Sequence, residues 1–171
     1  MQDERYFMEI NPFDKIDEIM EAFKDFSPKI FTKTDDGYDW LEEDDSKCIV
    51  FANSYGGQSL EIDVGDMGEF TLCYDWHAHY ANYQYDYDLM IERIRDIFEN
   101  RICCGNITDS EGKWFGSGYF DKAEIQNTII ENFTYTFGEK EFSDHLIKSG
   151  YTVTYTFWNP IDNKTITVKP E

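Results

Sequence analysis

Apolar residues recur along this chain with two different periods, and the changes between them mark its elements. After Asn11-Pro12, the positions Phe13, Ile16, Ile19, Met20, Phe23 and Phe26 form one apolar stripe, with Asp14, Asp17, Glu18 and Glu21 on the other side. Asparagine is a good helix cap and proline suits a first turn, so a helix is expected from here to Ser27-Pro28. From Lys29 to Tyr80 the pattern shortens to β-prone runs, Ile30 to Thr34, Lys47 to Asn53, Ser59 to Val64 and Glu69 to Trp76. Asp36-Gly37, Gly56-Gly57 and Gly65-Asp66 separate them, which predicts an antiparallel meander.

A second helix is expected over about Asp86 to Asn100, where Met90, Ile91, Ile94, Ile97 and Phe98 share one side. Ile102 to Thr108 and Lys113 to Phe120 flank Asp109-Ser110-Glu111-Gly112 and read as a hairpin. Asp121 to Glu131 fits a short helix through Ile125, Ile129 and Ile130, whereas Phe133 to Phe137 is strand-like. A last hairpin pairs Tyr151 to Trp158 with Thr165 to Lys169. The expected fold is a single α+β domain over residues 1–171, with one antiparallel sheet partly covered by two long helices.

Charge changes this picture more than length does. The 171 residues carry 35 acidic and 15 basic side chains, a formal net charge of -20. Residues 1–100 hold 25 acids against 8 bases, and residues 101–171 hold 10 against 7. Such a field attracts basic proteins and repels nucleic acid and anionic membranes. With 41% hydrophobic and 18% aromatic residues the chain has the material for a core, which excludes a disordered acidic tail. The first residues lack a basic and apolar leader, and no apolar run approaches the length of a membrane span, so a cytoplasmic location is expected. In that setting Cys48, Cys73, Cys103 and Cys104 are expected as reduced thiols.

Few residues are spaced for chemistry. His77 and His79, two apart on a strand, share a face, and Asp75 extends the series, so the three are a candidate metal set for a hydrolase. Asp35-Asp36-Gly37-Tyr38-Asp39 departs from the calcium-loop spacing. Ser54 and Ser117 lack the flanking pattern of a nucleophile, and no phosphate-binding glycine motif occurs. Neither catalysis nor a cofactor is therefore expected.

The strongest candidate is compositional. Eleven acids between Asp35 and Glu69 face a lone Lys47, and Tyr74, Trp76, Tyr80, Tyr83, Tyr85 and Tyr87 follow. Clustered carboxylates speed the encounter with a cationic partner, and tyrosine and tryptophan supply rigid anchors. The expected partner-binding residues are Asp39, Glu42, Glu43, Asp44 and Asp45 for steering, with Trp40, Trp76, Tyr80 and Tyr83 as anchors. At Trp76-His77-Ala78-His79-Tyr80, Tyr85-Asp86-Tyr87, Gly112-Lys113-Trp114 and Gly116-Ser117-Gly118, over roughly residues 69 to 125, the chain resembles the immunity proteins of bacterial polymorphic or contact-dependent toxin systems. The resemblance implies a cytoplasmic inhibitor that covers the cleft of a basic toxin, frequently a nuclease in such families. A DNA-mimic protein, whose carboxylates imitate phosphates, would share the charge.

Overall fold

A computed structural model describes residues 4–65, 68–125 and 140–170. Asp66, residues 126–131 of the ambiguous segment and the strand expected at Phe133 to Phe137 lie outside them. The chain divides into two compact units, residues 1–95 and 96–171.

The first unit is built on the meander. Strands β1 (Lys29–Thr32), β2 (Lys47–Phe51), β3 (Leu60–Val64), β4 (Phe70–Tyr74) and β5 (His77–Ala81) pair antiparallel in sequence order. Their alternation sets the faces: Leu60, Ile62 and Val64 are buried while Glu61 and Asp63 between them are half-exposed, and β4 repeats the pattern. Helix α1 (Ile16–Ala22) and helix α2 (Gln84–Phe98) contribute to the core. Phe23 meets Phe51 edge-on with ring centres 5.9 Å apart, and Tyr87 of α2 lies 5.5 Å from Phe70 of β4. Gly65 closes the turn after β3 with φ +97°, and the Phe13 ring occupies the place where a Cβ would stand.

The second unit is also a sheet. Strands β6 (Ile102–Asp109), β7 (Trp114–Asp121), β8 (Tyr151–Thr156) and β9 (Lys164–Val168) are arranged β7-β6-β8-β9, all antiparallel. Helix α3 (Lys140–Ser149) places Leu146 in a core with Cys103, Ile107, Phe120, Val153, Tyr155 and Phe157. Asp109 fixes the β6–β7 turn, its Oδ1 accepting from the backbone N–H groups of Glu111 and Lys113, each at 2.9 Å.

The expected architecture, one sheet under two long helices, is incorrect. Among the described residues there are nine strands in two sheets and three α-helices of 7, 15 and 10 residues. The long first helix is instead a 3₁₀ turn at Pro12–Lys15, the short α1, and another 3₁₀ turn at Lys24–Phe26. The cause is visible in the spacing. Phe13 to Ile16 and Phe23 to Phe26 step by three, the 3₁₀ period, where the 3₁₀ turns lie, while Ile16 to Met20 and Ile19 to Phe23 keep the step of four that an α-helix interleaves. Phe23 leaves helical geometry (φ -122°, ψ 21°) and Ser27 turns left-handed at φ 51°. The two later hairpins pair with each other and not with the meander, because period-two alternation identifies strands without naming their neighbours.

Candidate functional site

The acidic segment is a folded loop between β1 and β2. Asp35 turns its carboxylate back onto Thr32, accepting from the backbone N–H at 2.7 Å and the hydroxyl at 2.9 Å, and these bonds hold its pKa below the usual 3.8. Lys33 Nζ donates to the Glu42 carbonyl at 2.8 Å and pairs with Asp44 at 3.3 Å. Leu41 is buried at 1% exposure and plugs the loop into the unit. Tyr38 stacks on Phe31 of β1 with ring centres 4.3 Å apart, and Trp40 follows at 6.3 Å from Tyr38. Asp39, Glu42, Glu43, Asp44 and Asp45 are all exposed, and Trp40 is 47% exposed.

Register extends this site across the sheet. Directly opposed residues share a face, so one row on the side away from Ile62 runs Phe31, Cys48, Asp63, Thr71, Tyr80. The next row runs Lys29, Val50, Glu61, Cys73, Ala78. This outer face therefore has aromatics at both ends, Phe31 under Tyr38 and Tyr80 at 59% exposure, with two carboxylates in the middle strand. Its negative potential is legible in its neighbours. Burial, and then Asp63 and Glu61, push the Cys73 thiol up to about 11, and burial followed by Glu61 raises the Tyr38 phenol. A recess of about 290 Å³ opens on this side, lined by Gln58, Ser59, Glu61, Cys73 and Asp75.

Of the anchors expected from sequence, Trp40 lies on the loop with the acids and Trp76 does not. The acidic loop leaves the sheet where β1 ends and β2 begins, whereas Trp76 sits in the β4–β5 turn at the opposite end, 70% exposed. Five-residue strands and the spacing between them put the two corners on the order of 20 Å apart. Tyr80 shares the outer face with the loop side, and Tyr83 is half-buried, its backbone bridged to Glu9. Tyr38, Cys73 and Gln58 belong to the site and were not singled out from sequence. For Cys73 the signal was the alternation Leu60-Glu61-Ile62-Asp63-Val64, which sends both acids to one side with Cys73 opposite Glu61; Tyr38 and Gln58 lie in loops that this alternation does not place.

The histidines turn the other way. His77 and His79 share the core face with Ile62 and Leu72, where α2 supplies the partners of His79. The Arg93 guanidinium donates to His79 Nδ1, and His79 Nε2–H donates to the Asp86 carbonyl at 3.3 Å, which assigns a neutral ring. Burial, and then Arg93, hold both imidazoles below the usual 6.5. Asp75 is not on their face: it occupies the turn after β4 with φ 55°. Among the described residues no group of three or more histidines, cysteines and acids is disposed to hold a metal ion. The cation beside these rings is an arginine of the chain itself.

The second unit uses its chemistry-bearing residues for structure. Ser117 is buried between Gly116 and Gly118, and a Cβ at Gly118 would press on the Phe120 ring at 3.3 Å. Cys103 donates its S–H to the Phe120 carbonyl at 3.7 Å, and burial pushes its pKa up to about 12. Cys104 faces the opposite side, and all four cysteines are free thiols.

Comparison with known proteins found no matching family model, no matching curated protein and no matching solved structure. Among the described residues no helix is long and apolar enough to cross a membrane.

Proposed function

We propose that this chain is a non-enzymatic acidic binding protein, an immunity-type inhibitor whose first unit occludes the cleft of a basic toxin. The observation that carries the reading is the acidic loop: five exposed carboxylates between residues 39 and 45 on a segment fastened by the Asp35 turn, the Lys33 clamp and the Leu41 plug. A loop kept only for solvation does not need three fastenings. Ordering it in advance removes part of the entropy cost of binding, and Trp40 beside the carboxylates adds an aromatic anchor. Charge partition points the same way, since residues 1–95 carry 23 acids against 8 bases and residues 96–171 carry 12 against 7.

The test is co-expression with the product of the open reading frame beside its gene. The chain should abolish that product's toxicity. Amide replacement of all four acids (Glu42→Gln, Glu43→Gln, Asp44→Asn, Asp45→Asn) should slow association at low ionic strength by about tenfold or more and flatten its salt dependence. Toxicity that persists with both proteins folded and present overturns the proposal.

A further inference from the structure

The recess on the outer face of the five-stranded sheet carries the reading further. We infer that the space bounded by Gln58, Ser59, Glu61, Cys73 and Asp75 is a socket for one arginine side chain of the basic partner, an inference that rests on the binding role proposed above.

Size admits one side chain. At about 290 Å³ the recess lies at the lower end of the roughly 300–1,000 Å³ occupied by small-molecule sites. Chemistry selects the head group. Glu61 on β3 and Asp75 in the β4–β5 turn bring two carboxylates from separate elements, and Gln58 and Ser59 on the same lining are residue types whose side-chain oxygens accept hydrogen bonds. A planar guanidinium with five donors suits acceptors placed on several sides, whereas an ammonium is a point charge that satisfies fewer of them. Asp63, one pleat along β3 on the same face, adds a third negative charge. The cation on this face, Lys29, opposes Val50 at the edge of Glu61's row, roughly 10 Å from Glu61 at two strand spacings. The Cys73 thiol, which lines the recess, is raised by burial first and then by Asp63 and Glu61. Trp76, next to Asp75 in the same turn and exposed, offers an indole on which an arginine stacks.

The experiment uses the whole chain and no partner. N-acetyl-argininamide is titrated against isotope-labelled protein and followed by amide chemical shifts, with N-acetyl-lysinamide as the comparison. The expected result is a saturable response centred on residues 58, 59, 61, 73 and 75, at least threefold tighter for the arginine probe. The Asp75→Asn variant keeps a residue type that tolerates φ 55°, and with Glu61→Gln it should weaken binding about tenfold. Shifts that never saturate, equal response to the lysine probe, or unchanged affinity in the folded double variant would overturn the socket. Because no toxin is present, that failure is separate from failure of the inhibitor reading, which the co-expression test decides.

Discussion

At the scale of single residues, His79 is the clearest case of environment setting chemistry. Its ring is neutral because burial and Arg93 both disfavour the imidazolium, so the stability it contributes is present above pH 6.5 and is lost as pH falls below that value through the lower folded-state pKa. Replacing it as His79→Gln, thermal melts from pH 7 to pH 5 should show a shallower loss of stability than in the parent. An identical slope would mean that other groups dominate. Gly65→Ala forces a Cβ into the Phe13 ring at a positive φ, and denaturant melts should show a loss of about 2 kcal/mol or more. At Cys73 the sign is opposite to that of an activated thiol. Glu61→Gln removes a negative neighbour and should lower its pKa from about 11, read as faster alkylation by iodoacetamide at pH 8 to 9. The other three cysteines are buried and should stay unreactive in the folded chain.

At the scale of elements, what could be read in advance depended on whether the pattern was local. Leu60 to Val64 and Phe70 to Tyr74 alternate cleanly because one side is core and the other is not, so strands and faces were legible from single runs. Helix α2 was legible for the same reason, its apolar positions stepping by three and four with charges between. The first helix misled because hydrophobic spacing reports which residues share a side, and Phe13 continues the stripe of Ile16 and Ile19 from a 3₁₀ turn as readily as from an α-helix. Sheet membership was not legible at all, since β6 chooses β8 through contacts far apart in sequence. The acidic loop was legible as charge but not as structure. Nothing in the acid-rich run from Asp35 to Asp45 announces that Leu41 is buried or that Lys33 reaches the Glu42 carbonyl. Leu41→Ala should therefore cost about 2–4 kcal/mol in a denaturant melt despite its place among exposed carboxylates. A surface leucine would cost a few tenths.

For the whole molecule, a net charge of -20 on 171 residues opposes compaction and also steers encounter. Raising ionic strength from about 0.01 to 0.15 M shortens the Debye length from about 30 to 8 Å, so the melting temperature should rise with added salt. Association with a cationic partner should slow over the same range. The central carboxylates of the outer face differ in kind from those of the loop. Glu61 and Asp63 stand on either side of Ile62, whose side chain is sealed within the first unit's core. Their spacing is thus dictated by a strand that cannot shift without disturbing hydrophobic packing behind it. In the binding role proposed above, recognition would share one backbone with cohesion there, so a variant that merely loosens the interior beneath β3 should blur the charge pattern above it, and selectivity between partners should fade before the fold itself is lost.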